Sequence, residues 1–227
     1  MHLVIALLFG VCYLFPQHAF AIPAITCHCF QDRSYTPDAP FKADPYFLAT
    51  AQNSFFAAAF GVEKKRIVIK KQMGNSSDEL WVAYWIASQG VNVTPEGVLQ
   101  ARQENQSWPQ IMAAARISDK QLGGRLAGLV KSNASTSTVA AGVVETLLIR
   151  RHLLAEPEVA ALRSGGANNQ ELILALLIAT RTRQPALQIY REAKQGAKSW
   201  GLLLQQARIP PETIPGAMQA LTGKTAS

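Results

Sequence analysis

The feature that most constrains this chain is its likeness to itself. Residues 78–117, DELWVAYWIASQGVNVTPEGVLQARQENQSWPQIMAAARI, align without a gap on 170–209, QELILALLIATRTRQPALQIYREAKQGAKSWGLLLQQARI, an offset of 92. Shared positions include Glu79/Glu171, Leu80/Leu172, Ile86/Ile178, Ser107-Trp108 with Ser199-Trp200, and Ala115-Arg116-Ile117 with Ala207-Arg208-Ile209. A shorter period of 31 runs inside each half. Leu80, Ile111, Leu172 and Leu203 share one column; Lys71, Arg102, Arg163 and Lys194 share another. A turn column reads Gly74, Asn105, Gly166 and Ala197, followed two residues on by Ser76, Ser107, Asn168 and Ser199.

Each column has a physical cause. A cation in the last turn of a helix faces the negative end of its dipole, and Gly or Asn then tolerates the left-handed stop. Ser or Asn two residues later is a good N-cap for the next helix. Leu and Ile six residues apart, with Ala between them, trace one helical stripe. Such a unit cannot bury its own apolar face and must pack on others. The expectation is therefore an all-α fold, with duplicated arrays of helix-turn-helix units of roughly 31 residues stacked into a helical bundle or short solenoid. The only strand-like run, RIVIKK at 66–71, has helical repeat partners.

The chain divides accordingly. Residues 1–21, MHLVIALLFGVCYLFPQHAFA, hold no acidic or basic side chain except His2 and His18, and end on a small-x-small pattern, as a cleaved secretory signal does. Residues 22–43 are rich in Pro and polar groups and read as extended. A first helical half follows over 44–131, with Asp44 as N-cap and Pro45 at the first helical position. A polar linker is expected over 132–138, a second half over 139–223, and a tail over 224–227. The implied location is periplasmic or extracellular, with no transmembrane span once the signal is removed.

Candidate chemistry is sparse. No phosphate loop, H-E-x-x-H or G-x-S-x-G motif occurs, which favours a non-enzymatic interaction or scaffold module. Cys27, His28 and Cys29 form the one cluster of soft ligands, open to thiol-redox chemistry, to a metal ion, or to a dimer bridged through either cysteine. In an extended segment the two thiols point one way and the imidazole the other, which disfavours one ion taking all three.

The net charge of +7 concentrates in EKKRIVIKK, where Lys64, Lys65, Arg66, Lys70 and Lys71 form a candidate surface for a protein partner or an acidic envelope surface. The plainer alternative is a solvated helix face. Segments 106–129 and 198–221 have helix-turn-helix spacing. The second copy, PETIPGAM, lacks the polar residues that a base-reading helix needs, so nucleic acid is the weaker partner class. Trp81, Tyr84 and Trp85, and likewise Phe55, Phe56 and Phe60, lie at helical spacing and are expected in the core.

Overall fold

A computed structural model describes residues 30–223. Among them there are thirteen α-helices and one 3-10 turn, and no strand. After a non-helical stretch, 30–43, come α1 (Asp44–Phe60), α2 (Lys64–Gln72), α3 (Ser77–Gln89), α4 (Pro95–Gln103), α5 (Trp108–Ala114), α6 (Asp119–Leu122) and α7 (Gly124–Lys131). The chain continues through α8 (Thr136–Arg150), α9 (Glu156–Ser164), α10 (Asn169–Thr182), α11 (Ala186–Lys194), α12 (Trp200–Gln206), a 3-10 turn at Pro211–Thr213 and α13 (Ile214–Gly223). RIVIKK lies in α2. The polar linker is shorter than its composition suggests: Ser135 accepts from the Thr138 amide as an N-cap, so 136–138 already belong to α8.

One turn chemistry connects many of these helices. Asn105, Arg116, Asn133 and Gly166 take left-handed φ of 63°, 56°, 51° and 89°. The amide of the following residue then donates back five positions, as in Gln106 to Ala101, Ile117 to Met112, Ala134 to Leu129 and Ala167 to Leu162. These are Schellman stops, which satisfy helix-end carbonyls and turn the next residue inward. One residue further on, Ser107, Ser118, Ser135 and Asn168 each cap the next helix with a side-chain oxygen. The Ala-Arg-Ile triplets are this stop: Arg116 and Arg208 are left-handed at 56° and 54°, and Ile117 and Ile209 are buried behind them. In the fourth copy of the turn column the left-handed residue is Gly196, φ 69°, one position before Ala197.

Packing closes the helices into a bundle; an open solenoid is not formed. The first long helix, α1, packs on α10 and α13, and α8 packs on α3 and α7. Each long helix therefore docks against elements from the other half of the sequence, and the whole shares one apolar core. Trp81, Trp85 and Phe55 are fully buried, and Tyr84 and Phe56 are nearly so, with Phe60 packed against them. Phe56 and Trp81 ring centroids lie 4.5 Å apart. Trp108 and Trp200, at the first position of α5 and α12, are 2% and 5% exposed.

Polar contacts tie the long helices across the halves. Asp44 does not cap its own helix, whose N-cap is Ala43. Its carboxylate instead accepts from the amides of Trp200 and Gly201 at 3.0 and 2.9 Å, capping α12. In the other half Thr136, the first residue of α8, accepts from Trp108 Nε1 at 3.1 Å. The ring of Trp108 is covered on one face by the Arg102 guanidinium, 4.6 Å from its centroid.

Candidate functional site

The structure divides the five cations of the basic run. Ile67 and Val68 bury one face of α2 against the core. Lys70 pairs with Glu96 on α4 at 2.7 Å, and Lys71 reaches inward to Asn53 Oδ1 on α1 at 2.6 Å. Both are used in holding α2 in place. Lys64, Lys65 and Arg66 remain at the start of the helix, and none of them has a carboxylate within ion-pair distance among the described residues. Lys65 and Arg66 are exposed and Lys64 is half-buried.

Three cations in the first turn oppose the helix dipole, which places partial positive charge there. α2 has no acidic residue in that turn and no side-chain cap. α9, which begins 92 residues later, starts with Glu156-Pro157-Glu158, the charge sign the dipole favours. The exposed side of α2 also carries apolar side chains: Ile69 is 42% and Met73 76% exposed. On a helical projection Lys65, Arg66, Ile69 and Met73 fall on one arc.

Beside this helix start lies a cavity of about 390 Å³, bounded by Phe30, Arg33, Tyr46, Ala49, Thr50, Asn53, Lys64, Lys65 and Val68. Its walls come from the 30–43 stretch, from α1 and from α2. Thr50 and Asn53 are 5% and 3% exposed and supply polar groups from α1. Arg33 donates through Nε to the Phe30 carbonyl at 3.1 Å, and its guanidinium lies 5.9 Å from the Tyr46 ring centroid. Burial holds the Lys64 ammonium below the ordinary lysine value.

A second polar cluster lies between α8 and α9. Glu145 on α8 is 3% exposed; its Oε1 accepts from Arg163 Nε at 2.8 Å. Arg163 also donates to the carbonyls of Ala167 and Ala141 and to Asn169 Oδ1. Arg125 Nε lies 3.1 Å from Glu145 Oε2 but off the hydrogen-bonding direction, so that contact is Coulombic. Glu145 and Arg163 stand 92 residues after Asn53 and Lys71. Two contacts between a long helix and the helix after it thus share one placement, with an amide in one and a carboxylate in the other.

The remaining sequence candidates distribute as follows. Cys27, His28 and Cys29 lie outside the described residues, as does the secretory pattern of 1–21. In the helix-turn-helix-like segment 106–129, Gln121 is spent in a capping box with Ser118, while Lys120 is exposed. Among the described residues no helix is long and apolar enough to cross a membrane. Arg33, Thr50 and Asn53 carry no motif in the sequence; only the fold brings them to Lys64 and Lys65. No protein-family model, curated protein or solved structure matches this chain.

Proposed function

We propose that the chain is an exported, non-enzymatic helical protein, built from two copies of one array, that serves as an interaction module by docking the exposed side of α2 on an acidic envelope surface. Helix starts at 64, 77 and 108 recur at 156, 169 and 200, which supports the duplication. So does the exchange of partners, α1 with α10 and α13 against α8 with α3 and α7. Within each copy the caps Ser76 and Ser107, and then Asn168 and Ser199, are 31 residues apart, in keeping with a smaller helical-hairpin unit.

The observation that carries the docking reading is the composition of one arc of α2. Among the described residues neither Lys65 nor Arg66 has a carboxylate within ion-pair distance, Glu96 acting on Arg66 only from further off; both stand beside exposed Ile69 and Met73, and a neighbouring Lys64 adds to the field. Cations next to an anionic lipid surface contribute about 1 kcal/mol each, and apolar side chains among them gain by entering the interface. Sedimentation with vesicles tests this. The mature chain should pellet with phosphatidylglycerol vesicles and stay in solution with phosphatidylcholine; equal behaviour with both would refute the reading.

A further inference from the structure

We propose that the cavity where α1, α3 and α8 end binds one neutral, mainly apolar molecule carrying a hydroxyl or carbonyl oxygen, with Tyr84 as the donor to that oxygen. The inference goes beyond the docking of α2 and uses none of the residues on its exposed arc.

The cavity measures about 480 Å³, a size that small ligands occupy. Phe60 borders it from the end of α1, Val62 from the residues just after, Tyr84 from α3, Val93 from the loop before α4 and Leu147 from α8. Phe60, Val62, Val93 and Leu147 are all half-buried, so the neighbouring helices leave part of this apolar wall uncovered.

The polar group that the protein leaves unused there is the Tyr84 hydroxyl. Tyr84 is 7% exposed, and its ring is set by Phe56 and Phe60, with centroids 5.0 and 5.8 Å away. The hydroxyl makes no hydrogen bond among the described residues; Lys70, Glu96 and Arg66 act on it only from further off. Burial pushes the phenol above its ordinary value, so it keeps its proton and can donate. A hydroxyl in that setting calls for an acceptor, and the cavity is the open space it borders. Folding does not require it: Leu176, the residue 92 positions later, is 3% exposed and wholly apolar.

The charge around the cavity selects a neutral ligand. Three helices end here, and helix C-termini carry partial negative charge. Arg151, directly after α8, answers that charge: it donates to the Ala59 carbonyl in the last turn of α1 at 2.8 Å and to the Thr222 carbonyl of α13 at 3.3 Å. A carboxylate would face the helix ends and an ammonium would face Arg151. Glu96, the nearest acid acting on Tyr84, is itself paired with Lys70 at 2.7 Å. A molecule with an apolar body and one acceptor oxygen meets the walls and the phenol without disturbing this balance.

The test is calorimetric titration of the mature full-length chain with 2-octanone, with octanoate and octylamine as charged molecules of the same length. Saturable binding of one 2-octanone is expected, at least about ten-fold tighter than either charged analogue. Tyr84→Phe keeps the ring and its packing and removes only the hydroxyl. It should weaken 2-octanone binding by about five-fold and leave the thermal midpoint unchanged, because the hydroxyl has no partner within the fold. Ala87→Leu, which places side-chain atoms in the cavity, should abolish binding. Should that variant fail to fold, Tyr84→Phe and the wild-type comparison still decide. Neither change touches Lys65, Arg66, Ile69 or Met73, so vesicle binding should persist in both, and either reading can fail alone. Absence of saturable 2-octanone binding, tighter binding of octanoate or octylamine, or an affinity indifferent to Tyr84→Phe would each overturn the proposal.

Discussion

Replacing Glu145 with Gln removes one charge from the interior and almost no volume, so its cost reads the buried ion pair directly. Glu145 is 3% exposed and the Arg163 side chain 15%. The amide oxygen of Gln can accept one bond from Arg163, but the guanidinium then stays in the interior without a counter-charge. Breaking a buried pair from one side costs about 3–5 kcal/mol. Arg163 keeps its acceptors on Ala167, Ala141 and Asn169, which places the expected loss near the lower end, about 3 kcal/mol. The Arg125 side chain is 61% exposed, and its contact with Glu145 should contribute under about 1 kcal/mol and fade with salt. Against a total of about 5–15 kcal/mol, the loss should move the urea midpoint down by about 1–2 M.

The assay is urea unfolding followed by far-UV circular dichroism, on the wild type, Glu145→Gln, Arg163→Met and the apolar pair Glu145→Leu with Arg163→Met. The pair should recover much of what either single change loses, because neither charge is then left alone. A Glu145→Gln protein within about 0.5 kcal/mol of wild type would refute the argument, since that is the range of surface substitutions away from such contacts.

Asp44→Ala should lower stability by about 1–2 kcal/mol, because the amides of Trp200 and Gly201 lose their acceptor, and Asp44→Asn should cost less. Burial pushes the Asp44 carboxyl above its ordinary value, against the pull of those two amides, so the native state holds the proton more readily than the unfolded chain. Its contribution is then greatest below the ordinary aspartate value and is lost as pH rises through the raised one, a slope that Asp44→Asn should abolish in unfolding measured across the acid range. Trp108→Ala and Trp200→Ala should each cost about 3–5 kcal/mol by the same assay, Trp108 the more because it also loses Thr136 and Arg102.

The sequence made local structure legible where a rule acts over a few residues. Ser76 and Asn168 cap α3 and α10 as their place after the turn column predicts, each in a capping box with the Glu three residues on, and the aromatic stripe of α3 is core. The left-handed stops at Arg116 and Arg208 were not visible, because arginine carries no preference for that conformation; there the buried Ile after each one compensates the local cost. The exchange of α1 and α8 between halves was hidden too, since periodicity shows which face is apolar and not which helix covers it. Asp44 shows the same limit: a good capping residue by type, it caps a helix 156 residues away.

The candidate site was half legible. The basic run stood out by composition, but its division into Lys70 and Lys71, which hold α2, and Lys64, Lys65 and Arg66, which do not, depends on Glu96 and Asn53 arriving from elsewhere.

The measurement that tests the account most directly is the affinity of the mature chain for phosphatidylglycerol vesicles as salt is raised. Docking through the cations of α2 predicts an affinity that falls steeply with ionic strength. Lys65→Gln with Arg66→Gln should lower both the affinity and its salt dependence. Binding that is indifferent to salt and unchanged in that double variant would contradict the central claim.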